Sequence, residues 1–158
     1  MHLTSKIRGL TLVDLILTLG IFGIVVGSGA VILSDFLNRS YLQNTSRSVV
    51  DHLRRAQGFA MIRYQDSEWG VHFDTVDQRF TLFKGTVFAT RDPAFDESED
   101  LPDSLSLQNI VLNGGGNDVI FNQVLGNTSQ HGSFIIRETL TNRQVTITLN
   151  PYGQVEVN

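Results

Sequence analysis

The sequence predicts an α+β fold in which one long N-terminal helix precedes an antiparallel β-sheet head. An uncharged run of 20 residues extends from Leu15 to Ser34, and a helical period of apolar residues follows it. The C-terminal half alternates polar and apolar residues, which is typical of half-buried strands. The 158-residue chain carries a net charge of −4 and no cysteine. Its surface as a whole does not attract polyanions, and disulfides and thiolate metal sites are excluded.

The uncharged run is long enough to cross a membrane, because a helix of about 20 apolar residues spans the hydrocarbon core. Lys6 and Arg8 precede it, and basic residues favour the cytoplasmic side. We therefore expect a single span with a cytoplasmic N-terminus. A secretory signal peptide cut near Ala30 is the alternative, but such peptides have an apolar region of only about 7–15 residues.

Beyond this run the helical period continues without a break. Apolar residues recur at spacings of seven, four and three, which keeps one helix face apolar. They are Leu42, Val49, Leu53, Ala56 and Ala60. The opposite face is polar and carries Asn38, Arg39, Gln43, Arg47, Asp51 and Arg54. We expect one helix from about Leu10 to about Tyr64, with its second half packed on the head.

The remainder of the chain predicts β-structure. Glu68–Asp74 and Gln78–Gly85 alternate around a short link, which is typical of a hairpin. Further strands are expected at Thr86–Thr90, Leu105–Leu112, Val119–Gln123, Ser133–Glu138, Gln144–Leu149 and Gln154–Val157.

The stretch KIRGLTLVD, residues 6–14, resembles the processing signature of type IV prepilins and type II secretion pseudopilins. In that family a short basic leader ends in glycine, a carboxylate stands fifth after the cut, and an apolar helix follows. The resemblance implies cleavage by prepilin peptidase between Gly9 and Leu10, N-methylation of Leu10, and an assembly contact at Asp14. The family prefers phenylalanine first and glutamate fifth, so Leu10 and Asp14 depart from its commonest pattern.

A physical argument supports the assembly role of Asp14. Cleavage creates an α-amino group on Leu10 that is largely cationic at neutral pH, and charges within a membrane tend to pair because a bare one costs at least ~2.5–3.5 kcal/mol. Asp14 lies one helical turn away and can meet this amine in its own or a neighbouring subunit. The alternative is that Asp14 only stabilises the helix N-terminus through the macrodipole.

Two glycines of the uncharged run are four residues apart, a spacing that is typical of closely packed membrane helices. Gly23 and Gly27 form a G-x-x-x-G pair, which lets membrane helices approach closely. The alternative is that they reflect the general frequency of glycine in membrane helices.

Segments of the head also carry a resemblance. VIFNQVLGN and GSFIIRETLTNRQVTITLNPYGQVEV resemble the C-terminal half of GspH/FimT-type minor pseudopilins, and HLRRAQGFAMIRYQ resembles the end of their helix. The implied organisation is a cleaved leader (1–9), a transmembrane and filament-core helix (10–34), its amphipathic continuation (35–65) and a β-rich head (66–158).

The resemblance implies a structural subunit of a pilus or pseudopilus, without catalysis or cofactor. Its implied partners are other pilin subunits, prepilin peptidase and the inner-membrane assembly platform. It would lie in the inner membrane first and in an extracytoplasmic filament after assembly. A signal-anchored β domain unrelated to pili is the alternative.

Two segments of the head bear on possible binding functions. The acidic segment RDPAFDESEDLPDS matches no calcium-loop spacing, so we expect a solvated loop, with Asp92, Asp96, Glu97 and Asp100 as the alternative Ca²⁺ ligands. Some FimT-like pilins bind DNA through basic residues near the C-terminus. Here Arg137 and Arg143 are the only basic residues after Arg91, which argues against nucleic-acid binding.

The four histidines do not suggest a catalytic site. His2, His52, His72 and His131 are far apart in the sequence. His72 shares a strand face with Asp74, but two residues make neither a metal site nor a catalytic pair. We therefore expect no enzymatic activity.

Overall fold

The computed structural model describes residues 11–158, and for residues 26–35 it describes the backbone alone. Within this part, helix α1 spans Leu12–Met61 and precedes all of the strands. The strands are β1 (Trp69–Asp74), β2 (Arg79–Lys84), β3 (Glu97–Asp100), β4 (Leu105–Leu112), β5 (Asp118–Phe121), β6 (Gly132–Glu138), β7 (Gln144–Leu149) and β8 (Val155–Val157). Contacts divide the chain into two compact units, one ending at Leu37 and the other running from Asn38 to Asn158.

The strands form two four-stranded sheets whose neighbours are all antiparallel. Sheet A has the order β3-β2-β1-β5 and sheet B the order β4-β6-β7-β8. The predicted α+β class with antiparallel pairing is confirmed. The predicted hairpin is β1–β2, in which Trp69 lies opposite Lys84.

The turn of this hairpin is held by the side chain of Asp74. Its Oδ1 accepts hydrogen bonds from the amides of Val76 (2.8 Å) and Asp77 (3.0 Å). Because these donors favour the ionised carboxylate, they lower the pKa of Asp74. The turn fixes the register of sheet A at this end.

The second half of α1 buries the face that its spacing predicts. Leu42, Val49, Leu53, Ala56 and Ala60 are all buried and belong to one core cluster with residues of both sheets. Aromatic rings fill much of this cluster; the rings of Phe73 and Phe134, for example, lie 4.4 Å apart. The helix therefore covers the sheets with its apolar face, as expected for an amphipathic helix.

One predicted strand is wrong and one strand was not predicted. Residues 86–90 contain a 3-10 turn at Phe88–Thr90 instead of a strand, because Gly85 turns the chain with φ +134° and the ring of Phe88 stacks on His72. The acidic segment, expected as a loop, contains β3. Asp100 there lies opposite Arg79 of β2.

Gln57 connects the end of α1 to two turns of the head. Its Nε2 donates to the carbonyl oxygens of Gly126 (2.8 Å) and Tyr152 (3.1 Å). The amide of Val124 also donates to the carbonyl of Ala60 (3.2 Å) and so satisfies an acceptor in the last turn of the helix. The helix end is thereby joined to the turn after β5 and to the β7–β8 turn.

Candidate functional site

Helix α1 begins with reciprocal hydrogen bonds between Thr11 and Asp14. The amide of Thr11 donates to Oδ2 of Asp14 (3.2 Å), and the amide of Asp14 donates to Oγ1 of Thr11 (3.3 Å). The hydroxyl of Thr11 donates to the same Oδ2 (2.7 Å). This is a capping box, which satisfies backbone donors that a helix N-terminus leaves open. Asp14 therefore has a local role at the helix start.

Sequence reasoning overlooked Thr11, although its signal is present. A threonine followed three residues later by a carboxylate, just before an apolar run, is the pattern of a capping box. The alternative in which Asp14 interacts with the helix macrodipole correctly placed Asp14 at the helix N-terminus, but it did not identify Thr11 as its hydrogen-bond partner. Both Thr11 donors bond to Oδ2, so the cap requires only one carboxylate oxygen of Asp14.

The predicted processing site directly precedes Thr11 in the sequence. Gly9 and Leu10 lie outside the described residues, so cleavage between them and methylation of Leu10 stay predictions. The assembly contact of Asp14 likewise stays a prediction, because the pairing it requires is with the amine of Leu10.

The first part of α1 exposes a continuous apolar surface. Leu12 is 74% exposed, and the large apolar residues from Val13 to Val25 are exposed as well. Six positions at alternating spacings of three and one line a shallow groove of about 420 Å³. They are Val13, Ile16, Leu17, Gly20, Ile21 and Ile24. Exposed apolar surfaces of this kind mark interaction sites.

Gly23 lies on this part of the helix. Among the described residues, and apart from the backbone of the helix itself, a methyl group added at Gly23 or at Gly20 would meet no heavy atom within 4 Å. The surroundings of Gly27 lie outside the described side chains. The helix-packing role of the Gly23–Gly27 pair therefore stays a prediction.

In the described part of the chain, no helical stretch is both long enough and apolar enough to cross a membrane. Leu10 and the side chains of residues 26–34, which belong to the span predicted at 10–34, are outside that part.

Each of the four candidate calcium ligands faces a basic side chain. The pairs are Asp92 with Lys84 (4.0 Å), Asp96 with Arg91 (2.6 Å), Glu97 with Arg55 (2.6 Å) and Asp100 with Arg79 (2.9 Å). The hydrogen bond from Arg55 lowers the pKa of Glu97. Asp92 and Asp100 thus connect the segment to β2, and Glu97 connects it to α1. The pair of Asp96 with Arg91 lies within the segment itself. Across residues 11–158, no group of three or more His, Asp or Glu residues is arranged for a metal ion.

Two of the histidines form local contacts on the head. Nδ1 of His72 lies 2.6 Å from Oδ1 of Asp118 on β5. Nδ1 of His52, which is buried on α1, lies 2.9 Å from the carbonyl oxygen of Ser48. Sequence reasoning missed Asp118 because the pairing of β1 with β5 is not visible in a local pattern.

Arg137 and Arg143, the two arginines that follow Arg91 in the sequence, lie at the β6–β7 hairpin. Arg137 donates to Oε1 of Gln144 (3.0 Å), and Nη1 of Arg143 lies 3.8 Å from Oε2 of the buried Glu138. Both arginines thus contact neighbouring side chains. Their positions provide no argument for phosphate binding.

A helix packed on two antiparallel four-stranded sheets, with an exposed apolar N-terminal stretch, defines a pseudopilin-like fold. The chain is similar to two structures of the minor pseudopilin EpsH from the type 2 secretion system of Vibrio cholerae. Both matches have a TM-score of 0.57 and 14% identity. They cover 74% and 75% of this chain, and 95% and 93% of the EpsH chains. At this identity the likeness establishes the fold.

No protein-family model matches the sequence, and no curated protein is similar to it in sequence.

Proposed function

We propose that this chain is a structural subunit of a type II secretion pseudopilus or a related type IV pilus. The observation that carries the proposal is the likeness of its fold to EpsH over nearly the whole length of the EpsH chains. Because both neighbours are minor pseudopilins of a type II secretion system, the secretion pseudopilus is the favoured assembly.

The exposed surface of α1 supports assembly through the N-terminal helix. From Leu12 to Val25 its large apolar side chains are exposed among the described residues, whereas the half of the helix after Asn38 buries its apolar face in the head. Burial of apolar surface is the main favourable contribution to association. Packing against the helices of other subunits would provide that burial.

The signature at residues 6–14 supplies the order of events. Prepilin peptidase removes residues 1–9, Leu10 becomes the methylated N-terminus, and the uncharged run holds the subunit in the inner membrane with its N-terminus in the cytoplasm. The assembly platform then moves the subunit into the filament. Asp14 caps its own helix and meets the amine of a Leu10 during assembly.

The direct test is the N-terminus of the mature chain. Expression in cells with an active prepilin peptidase should yield a chain that begins at Leu10, as shown by intact mass and N-terminal sequencing. The matched control is Gly9→Leu, which places a bulky side chain at the cut and should leave the precursor uncut. A mature start near Ala30 would instead indicate a signal peptide and contradict the proposal.

A further inference from the structure

The outer edge of sheet B lies open beside a groove on α1. Strand β8 is the last strand of this sheet, and among the described strands it pairs with β7 alone. The groove has a volume of about 610 Å³. Residues of α1 that include Arg47, Val50 and Arg54 line it together with Val145 of β7 and Val157 of β8. The groove therefore lies between the helix and the open edge of the sheet.

The hydrogen-bond register of β7 and β8 leaves backbone groups of β8 pointing outward. The amide of Thr146 donates to the carbonyl oxygen of Asn158 (2.8 Å), and the amide of Asn158 donates to that of Thr146 (2.9 Å). In an antiparallel pair such bonded positions alternate with positions whose N–H and C=O groups face away from the partner strand. Val155 and Val157 occupy positions of the second kind. Their N–H and C=O groups face the open edge and are bonded to no described residue.

An open edge of this kind is a template for a further strand. An extended segment beside β8 would satisfy the outward backbone groups and add one strand to sheet B. Its side chains would alternate between the two faces of the sheet. Val155 packs on the core cluster, so the face that carries Val155 and Val157 is the one turned to α1. Every second side chain of the added strand, here called inward, would therefore point into the groove.

Two arginines give the groove a preference for carboxylates. Arg47 and Arg54 are both exposed, and neither forms an ion pair or a hydrogen bond with another described residue. They are seven residues apart, which is about 10 Å along a helix. Inward side chains four residues apart on a strand are separated by about 13 Å, a difference that the long arginine side chains can span. Asp51 lies between the two arginines and disfavours a third carboxylate there.

The acidic strand of a second copy does not match this groove. In β3 the carboxylates of Glu97 and Asp100 are paired with arginines of their own chain. Glu99 accepts a hydrogen bond from Ser48. Because these carboxylates are already engaged, the segment that fits the groove belongs to a different protein.

We propose that an extended segment of a partner protein, with carboxylates at two inward positions, adds to sheet B beside β8. Its backbone bonds to Val155 and Val157, and its carboxylates pair with Arg47 and Arg54. The surface goes beyond the proposed filament role and does not depend on it, because all of these residues belong to the compact unit that begins at Asn38.

The direct test uses a seven-residue peptide, acetyl-Thr-Glu-Thr-Val-Thr-Glu-Thr-amide, whose two glutamates share one face of an extended strand. The peptide carries a dye without net charge and is titrated with the full chain in a non-ionic maltoside detergent. Fluorescence anisotropy should report saturable binding. A matched peptide with lysine in place of both glutamates should bind at least roughly tenfold more weakly, because like charges would face the arginines.

Methylation of peptide amides separates strand addition from simple charge attraction. In an added strand only alternate N–H groups face β8. One peptide is N-methylated at both glutamates, and another at the two threonines between them. One of the two should lose binding roughly tenfold, and the other should bind as the parent does. An equal effect of the two methylation patterns would overturn the proposal.

Variants of the chain test the assigned contacts. Val157→Pro removes an outward N–H that β7 does not use, so it should weaken peptide binding roughly fivefold without breaking the sheet. Val157→Thr keeps the N–H and the branched shape and should bind as wild type. Arg47→Gln and Arg54→Gln should each weaken binding roughly threefold, whereas Arg63→Gln, outside the groove, should leave it unchanged. The emission maximum of Trp69 checks that each variant is folded.

Three results would contradict the assignment. The lysine peptide could bind as well as the glutamate peptide, or Val157→Pro and Val157→Thr could behave alike. The third is self-association of the chain without peptide that Val157→Pro lowers and Val157→Thr does not. Size-exclusion chromatography at two protein concentrations detects this last result, which would assign the edge to a second copy instead of an acidic partner segment.

Discussion

The carboxylate of Asp14 has two roles in this account, and they can be separated. One is the capping box with Thr11, which the structure shows. The other is the proposed assembly contact with the amine of Leu10. The first requires a hydrogen-bond acceptor at position 14, whereas the second requires a negative charge there.

Substitutions at positions 11 and 14 distinguish the roles. Asp14→Asn retains an acceptor oxygen for the cap and loses the charge, so it should reduce incorporation into filaments as much as Asp14→Ala does. Asp14→Glu keeps the charge and should be tolerated. Thr11→Ala removes the side-chain part of the cap and leaves the charge, so it should incorporate nearly as wild type. The measurement is the ratio of filament-bound to membrane-bound subunit.

If Thr11→Ala is lost from filaments while Asp14→Asn incorporates normally, Asp14 acts only through the cap. If the Asp14 variants stop at the cleavage step, the peptidase reads the carboxylate.

A glycine in the β7–β8 turn is required both by its conformation and by its neighbours. Gly153 has φ +81°, and a Cβ there would lie 2.4 Å from Nε2 of Gln57 and 2.5 Å from the carbonyl oxygen of Gly126. Gly114 has a similar φ of +84°, but a Cβ there would meet open space. Both Gly→Ala changes incur about 1–2 kcal/mol for the left-handed backbone. Only Gly153→Ala adds the clash, worth about 1–3 kcal/mol more.

Urea unfolding followed by the fluorescence of Trp69 measures this difference. We expect Gly153→Ala to lose more unfolding free energy than Gly114→Ala. Equal losses would show that Gln57 and Gly126 move away from the added methyl group at no cost, which would contradict a tight contact between the helix end and this turn.

At the scale of elements, the sequence pattern predicted those elements whose formation depends on residues close together in the chain. The β1–β2 hairpin and the buried face of α1 follow from period and turn chemistry. Strand β3 does not, because its acidic residues have low β propensity and pair through contacts remote in sequence, such as Glu97 with Arg55 and Glu99 with Ser48. In residues 86–90 the local pattern predicts a strand that does not form. Phe88 stacks on His72, which is remote in the sequence, and the segment forms a 3-10 turn instead.

The pair between Arg55 and Glu97 gives β3 a predicted pH dependence. Arg55 lowers the pKa of Glu97 from its ordinary value of 4.5. The stabilisation by this pair is therefore fully present above about pH 4.5. It is lost as the pH falls through the lower pKa that Glu97 has in the folded state. Both side chains are nearly half exposed, so the pair contributes only about 0.2–1 kcal/mol.

Arg55→Gln should lower the free energy of unfolding by that amount at pH 7 and converge with wild type in strong acid. Arg54→Gln, an exposed neighbour on the same helix, is the control and should have little effect at either pH. A loss that persists unchanged at low pH would assign the role of Arg55 to packing on Phe59 instead.

At the scale of the whole molecule, the sequence predicted the α+β class and a long helix that precedes all of the strands, but not the division of the strands into two sheets. The two sheets depend on pairings between strands that are distant in the sequence, such as β1 with β5 and β4 with β6. The alternation of polar and apolar residues within a strand does not indicate its neighbours. The capping box was readable from the sequence. The contacts of Trp69 with Phe59 and Phe95 were not, because these rings come together only in the folded head.

The head should be separable from the N-terminal part of the helix. Deletion of residues up to Arg39 removes the exposed apolar stretch and keeps nearly all of the compact unit that begins at Asn38. We expect a folded, monomeric and soluble fragment, checked by size-exclusion chromatography and by the emission maximum of Trp69. Aggregation of this fragment would place the boundary of the head elsewhere.

Assembly of the chain as a filament subunit through its processed N-terminal helix can be measured in a sheared filament fraction. The full chain is expressed in cells that carry prepilin peptidase and a type II secretion assembly platform, beside the uncut Gly9→Leu control. We expect the wild-type chain to begin at Leu10 and to co-purify with pseudopilin subunits, and we expect the Gly9→Leu chain to be absent from the filament fraction. Assembly through the processed helix is contradicted if the wild-type chain is processed at Leu10 but remains wholly outside the filament fraction, or if the uncut Gly9→Leu chain enters it equally well.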